Sequence, residues 1–310
     1  MSNRPKSVLI LGGSGFLGAR VVNALRSTYD SRLFHVAQRQ KNTGSAAEIN
    51  VHPCDLEDES QVEALFDELR PTHVVDLAIA RPKNRDDQAP ARARNTRRVR
   101  ILAGAMERFR PERLVHAGSQ YEYAEGPELL GEEFLGEPDT VYGQDKRHAR
   151  WVLEAAAARS GTQFCCLRLF SLYGPGEAPS RFVPTALRRA LKGETIFTTA
   201  PQVVHDFLYV DDAARAVGLA LESDRVGVIN IGSGIERSNL EVARLVVSLF
   251  GSNSTIEAGA FPGKERDRTR WRADIRRAKA WLRWTPEISL EDGLTRTLEF
   301  MRSHRERYDL

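Results

Sequence analysis

Tyr142 and Lys146 stand four residues apart in the stretch "TVYGQDKRHARWVLEAA". On a helix that spacing places both side chains on one face, one turn apart. A free phenol titrates at about 10, too high for a base at neutral pH, and an ammonium beside it favours the phenolate. The pair is therefore a candidate proton donor and acceptor. Ser119 ends an apolar run, "RLVHAGS". At the end of a strand it would lie on the carboxyl edge of a parallel sheet, where such folds bind ligands. Its hydroxyl could then hold a carbonyl or alkoxide oxygen beside the tyrosine. A lone YxxxK is common on helix surfaces, and the preceding strand ending in Ser is what makes this one specific.

A second constellation lies near the start. The first apolar run leads into "GGSGFLG", which places Gly12, Gly15 and Gly18 at a strand-to-helix turn. One glycine makes the tight turn, one lets the backbone approach a pyrophosphate, and one lets helix and strand pack closely. The first helical turn, with Phe16 and Leu17, would offer unpaired N–H groups and a positive dipole end to phosphates. The strand–turn–helix context is what marks a dinucleotide site. The next strand ends "HVAQRQKN", with no acid to bond a ribose 2′-hydroxyl but with Arg39 and Lys41 to hold a 2′-phosphate. NADP(H) is accordingly favoured over NAD(H). In "CDLED", Asp55 and Leu56 either face the adenine edge or belong to a turn or cap before the next helix.

These residues need a scaffold, and the pattern supplies one. Apolar strands at "SVLILGG", "RLFHVAQ", "HVVDLAIA", "RLVHAGS" and "QFCCLRLF" alternate with helical stretches. Those stretches are "FLGARVVNALRST", "ESQVEALFDEL", about 89–109 and about 142–160. Strands separated by helices of about ten residues or more predict a parallel sheet with right-handed crossovers. After Ser171 the character changes, through the loop-like "SLYGPGEAPSRFVP" to shorter elements. The expected fold is α/β: a Rossmann doubly wound parallel sheet with a smaller C-terminal substrate-binding lobe. Residues 1–171 with about 203–232 are expected in the NADP-binding domain, and about 172–202 and 233–310 in the lobe.

Composition narrows the class. With 310 residues and 41% hydrophobic content a sizeable core is expected. A net charge of +3 does not point to nucleic acid. The arginines are uneven, however. Arg92, Arg94, Arg97, Arg98 and Arg100 read as a solvated helix face. Arg266, Arg268, Arg270, Arg272, Arg276 and Arg277 could instead serve an anionic ligand such as a diphosphate. Cys54, Cys165 and Cys166 show no zinc or CxxC spacing, as for free thiols in a cytoplasmic protein. No signal-peptide pattern or membrane-length apolar run is seen, so no membrane partner is expected.

Taken together, these motifs resemble the extended short-chain dehydrogenase/reductases of the nucleotide-sugar epimerase, dehydratase and reductase group. "GGSGFLG" is similar to the family's GGxGFxG, and "VVDLAIA", with Ala78 and Ala80, stands where the family has a strand ending in LAA. Asn95 sits where it has an Asn on the next helix. Ser119, Tyr142 and Lys146 match its catalytic Ser and YxxxK, and "LRLFSLYGPG", "HDFLYVDD" and "ADIRRAKAWLRWTP" resemble landmarks of its C-terminal half. The resemblance implies that a nicotinamide faces Ser119 and Tyr142, that Lys146 binds its ribose, and that two copies pair through the helices near 91–109 and 142–160. It also implies substrate contacts from Tyr121, Ser171, Arg181, Phe182, His205, Lys264 and Arg266. Ser171 and His205 depart from the family's usual Asn and Arg, so a nucleotide-sugar is the expected substrate class with its identity open.

The 4,6-dehydratases of that group carry an acid directly after the catalytic Ser or Thr, where this chain has Gln120 and Tyr121. Glu122 is displaced and a weak substitute, so elimination is disfavoured. Epimerases usually recycle a bound NAD, whereas an acid-free second strand suggests NADPH, which is consumed. The expectation is NADPH-dependent reduction of a keto-sugar nucleotide of the 4-keto-6-deoxyhexose type, with Tyr142 as acid/base. The alternatives are a nucleotide-sugar epimerase and, from another class, a non-catalytic NADP-binding regulatory protein.

Overall fold

The computed structural model describes residues 5–30, 34–38, 50–80, 87–124, 126–134, 136–261 and 270–310. The expected strands form because their Val, Leu and Ile runs can be buried on both faces. They are β1 (Val8–Leu11), β2 (Phe34–Gln38), β4 (His73–Asp76), β5 (Arg113–Ser119) and β6 (Gln163–Leu169), and the short β3 (Asn50–Pro53), which carries no such run, joins them at the sheet edge. β1, β4 and β5 are buried along their whole length, while β3 at the sheet edge is largely accessible. The interleaved helices are α1 (Phe16–Leu25), α2 (Glu59–Leu69), α3 (Gln88–Phe109) and α4 (Val141–Ser160).

The chain continues as β7 (Ser171–Tyr173), α5 (Phe182–Lys192), β8 (Ile196–Thr198), β9 (Val204–Tyr209), α6 (Val210–Glu222) and β10 (Gly227–Ile231). It ends with β11 (Glu236–Ser238), α7 (Asn239–Leu249), β12 (Ile256–Ala258), α8 (Arg276–Leu282), α9 (Leu290–Ser303) and α10 (Arg305–Tyr308). The large sheet has the order β10-β6-β5-β4-β1-β2-β3, and its pairs β1–β2, β1–β4, β2–β3 and β4–β5 are parallel. The order reverses between β1 and β4, the switch point at which such sheets bind ligands. This is the doubly wound Rossmann arrangement expected from the sequence. β4 is shorter than its apolar run, because only Leu77 N–H, bonded to Leu11 O at 3.0 Å, continues the ladder beyond Asp76.

The chain divides into two compact units, 1–122 with 140–168 and 214–229, and 123–139 with 169–213 and 230–310. Residues 123–139, 169–171, 203–213 and 230–232, expected in the large domain, cluster with the second unit. The reason is visible in its contacts: Tyr123, Leu130, Phe170, Trp271 and Ala273 bury one another, and β9 pairs with β7 and β11. The first unit's main core lies under α2, α3 and α4 and includes Leu9, Phe66, Val74, Leu102, Met106, Leu114 and Leu153. The second unit packs α5, α7 and α9 around Tyr173, Leu187, Val246, Leu294 and Met301.

Among the described residues no helix is long and apolar enough to cross a membrane, and no group of three or more His, Cys, Asp or Glu could hold a metal. Cys54, Cys165 and Cys166 are buried free thiols, and burial pushes Cys54 and Cys165 up to about 11.

Candidate active site

Helix α4 begins where Thr140 caps it, its Oγ1 accepting from Gly143 N at 3.0 Å. That start places Tyr142 in the first turn and Lys146 one turn on. Lys146 is buried, and its Nζ donates to Ala117 O on β5 at 2.7 Å. The ammonium is thus fixed against the strand that Ser119 terminates, a contact the helical spacing did not specify. Ser119 is buried, with its Oγ accepting from Tyr121 N at 3.3 Å. The ring of Tyr121 meets that of Tyr142 edge-on, with centroids 5.7 Å apart.

The strand–helix turn is built for close approach. Gly12 has φ +83°, and a Cβ there would meet Ala78 Cα at 2.8 Å. Gly15 N–H donates to Gly12 O at 3.1 Å and forms the N-cap of α1 with no side chain closing off the first-turn amides. A Cβ at Gly18 would lie 2.1 Å from Gly12 O, so only glycine lets α1 pack this closely. Phe16 and Leu17 are half-buried in that first turn. Open backbone, uncapped amides and a helix dipole fit a pyrophosphate. Gly13, which the sequence reading passed over, has the same packing role, since a Cβ there would sit 2.4 Å from Val36 Cγ1.

Other cofactor candidates have partners within the fold. The Asn95 side chain pairs both ways with the Ala80 backbone, at 2.8 and 3.0 Å, and so pins the loop after β4. Asp55 is not the cap of α2. Asp58 is, while Asp55 Oδ1 accepts from Glu57 N at 3.1 Å. Leu56 packs against the first unit's core. Arg39, Lys41, Lys264, Arg266 and Arg268 lie outside the described residues.

Among the substrate candidates, Phe182 and His205 both lie against Phe207, with ring centroids 6.4 and 5.8 Å from it. Ser171 pairs with Phe207 in the β7–β9 ladder. Phe207 was missed because it reads as an ordinary strand residue. Arg181 caps α5, is exposed, and lies 3.9 Å from Glu177. The second arginine cluster does not offer free guanidinia among the described residues. Arg270 pairs with Glu128 and Glu236, Arg272 donates to Gly234 O, Arg276 pairs with Asp274, and Arg277 pairs with Glu133.

Two buried charge clusters that include residues of or next to β5 were not foreseen. In one, Asp76 Oδ1 lies 2.6 Å from Arg98 Nη1 and Asp76 Oδ2 lies 2.8 Å from His116 Nδ1. Arg98 is therefore an exception to the solvated face of α3. In the other, Glu122 is wholly buried, with Oε1 accepting from Ser119 N at 2.9 Å and Oε2 lying 3.0 Å from Arg150 Nε and 3.3 Å from Arg168 Nε.

The comparisons agree with this geometry. The family model described as "NAD dependent epimerase/dehydratase family" matches residues 8–232. UDP-glucuronic acid decarboxylase 1 of Xenopus tropicalis is 27% identical over 97% of this chain and 73% of its own length. The solved UDP-glucose 4-epimerase of Thermotoga maritima, with UDP-glucose, is 26% identical with a TM-score of 0.87, covering 96% of this chain and 99% of that one. MoeE5 in complex with UDP-glucuronic acid and NAD is 29% identical with a TM-score of 0.83, over 96% and 99% of the two chains. The chain belongs to the NAD dependent epimerase/dehydratase family and is an enzyme of the extended short-chain dehydrogenase type.

Proposed function

We propose that this enzyme reduces a keto-sugar nucleotide of the 4-keto-6-deoxyhexose type with NADPH. The observation that carries the choice of reaction is the state of Glu122. A dehydratase needs a carboxylic acid near the catalytic Ser to protonate a leaving hydroxyl. The acid closest in sequence after Ser119 is Glu122, and both of its oxygens are engaged, by the Ser119 N–H and by two arginines.

The turn at Gly12, Gly15, Phe16, Leu17 and Gly18 would hold the pyrophosphate, and Lys146 the nicotinamide ribose. A bound nicotinamide supplies the hydride. Ser119 holds and polarises the carbonyl oxygen, and Tyr142 donates a proton to it as the alkoxide develops. Lys146 steadies the phenolate left behind. Phe182, His205 and Phe207, with Ser171, Arg181, Lys264 and Arg266, are the proposed contacts to the sugar nucleotide. The sequence at the end of β2, which has no acid and continues into Arg39 and Lys41, supports NADP(H). We place the enzyme in the cytoplasm as a homodimer joined through α3 and α4; on α4, Val141 and Trp151 are roughly half exposed.

Epimerisation is the second reading, supported by the likeness to the Thermotoga 4-epimerase. Absorbance at 340 nm, followed with NADPH and a panel of 4-keto nucleotide-sugars, separates the two. Stoichiometric NADPH loss supports reduction. A product of inverted configuration without net NADPH loss supports epimerisation, and tight cofactor binding with no turnover of any substrate supports a regulatory role.

A further inference from the structure

We propose that Glu122 is a positioning residue: its carboxylate ties the backbone at the end of β5 to the helix that carries Tyr142 and Lys146. The inference rests on the reading of Ser119 as the residue that holds the reacting oxygen.

The local chain explains how the carboxylate gets there. After Ser119 the strand closes into a short 3-10 turn, Gln120–Glu122, which folds the Glu122 side chain back under the strand end. The space it enters exists only because residue 118 is glycine. A Cβ there would lie 2.4 Å from Glu122 Oε1 and 2.6 Å from Cys166 Sγ. One oxygen then accepts the Ser119 N–H at 2.9 Å, and the other faces Arg150 and Arg168. Arg150 follows Lys146 by one helical turn and Tyr142 by two, and Arg168 sits on β6. A single carboxylate therefore joins the strand end bearing Ser119, the helix bearing Tyr142 and Lys146, and the neighbouring strand.

The two guanidinia offset the desolvation of the buried anion, and a charge-assisted bond to an N–H is stronger than a neutral one. The carboxylate bridges both arginines to the Ser119 amide. Catalysis between two positioned side chains is sensitive to such a bridge, because a misplacement of about 1 Å can cost about a hundredfold in rate.

Glu122→Asp separates positioning from simple charge balance. The shorter acid still places an anion between Arg150 and Arg168 but cannot also reach the Ser119 amide. The variant is expected to melt close to the wild type and to exchange the Ser119 amide hydrogen faster. Its kcat should fall at least about tenfold, with KM within about twofold. Turnover is read with NADPH and dTDP-4-keto-6-deoxyglucose, and with NAD and UDP-glucuronic acid. Amide exchange is read by mass spectrometry on the free protein. Glu122→Gln, which removes the carboxylate charge that faces both arginines, should lose stability as well as turnover. A folded Glu122→Asp protein with wild-type kcat, or with unchanged exchange at Ser119, overturns the proposal. If Glu122→Asp does not fold, Arg150→Lys, which keeps the charge but loosens its fork, should still speed exchange at Ser119, and unchanged exchange there overturns the proposal equally. If Tyr142→Phe leaves turnover intact, the catalytic reading falls, while the exchange result still reports on Glu122.

Discussion

Asp76 and Asp206 are both wholly buried on strands, one in each unit, and they are held by opposite means. Asp76 in the first unit faces a guanidinium and an imidazole, Arg98 at 2.6 Å and His116 at 2.8 Å. Asp206 in the second unit has dipoles: Ser233 Oγ at 2.7 Å, Gly234 N at 2.9 Å, Ala273 N at 3.0 Å, and Ser233 N. Burial pushes both carboxyls upward. At Asp76 the Arg98 charge and the His116 bond outweigh it and hold the group below the usual carboxylate range. At Asp206 the hydrogen bonds oppose burial without overcoming it, and the group stays raised. A full counter-charge compensates desolvation where dipoles only soften it. The charged solution lies within reach of the buried Lys146 charge, and the dipolar one gathers loops of the second unit.

The largest effect expected from this contrast is at Asp76. Asp76→Asn leaves Arg98 buried without a counter-charge and should cost about 3–5 kcal/mol of unfolding free energy in urea denaturation. Asp206→Asn turns an amide N–H toward donors and should cost about 1–3 kcal/mol by the same measurement. If the Asp206 variant loses more than the Asp76 variant, the contrast is broken.

The smallest effect is on pH dependence, and the signs differ. Burial holds the His116 imidazole below its ordinary value, against the pull of Asp76 and with Lys146 and Arg98 adding to the depression. Unfolded, it takes up a proton at about pH 6.5, so its contribution to stability is lost as pH falls below that value. The depressed Asp76 contributes stability above its unfolded value of about 3.9, and that contribution is lost as pH falls further. The raised Asp206 behaves oppositely: its contribution is complete below about 3.9 and is lost as pH rises through its folded value. Thermal melts from pH 7.5 to 5 should show a falling midpoint, and His116→Gln should flatten the fall. An equal fall in that variant would remove His116 from the account.

What the sequence made legible follows from contact distance along the chain. Tyr142 and Lys146 lie one helical turn apart and the Gly12–Gly18 turn is local, so spacing, read with the strand that precedes each, was enough to single out both. The sheet order followed because buried strands and amphipathic helices alternate with clear periods. Arg98 was read as part of a solvated run because it clusters with Arg92, Arg94, Arg97 and Arg100, and its buried partner Asp76 is 22 residues away. Glu122 was weighed as a displaced catalytic acid, and its role depends on Arg150 and Arg168, 28 and 46 residues on. Asn95 was assigned to the cofactor, and its bonds to Ala80 give it a nearer partner.

The central claim, that Tyr142 moves the proton in a hydride-transfer reaction, is tested most directly by Tyr142→Phe. The variant should bind NADPH with unchanged affinity, measured by cofactor fluorescence, and lose about 10²–10⁴-fold in kcat on the best substrate of the 4-keto nucleotide-sugar panel. Turnover within a few-fold of the wild type, with the cofactor bound equally well, would contradict it.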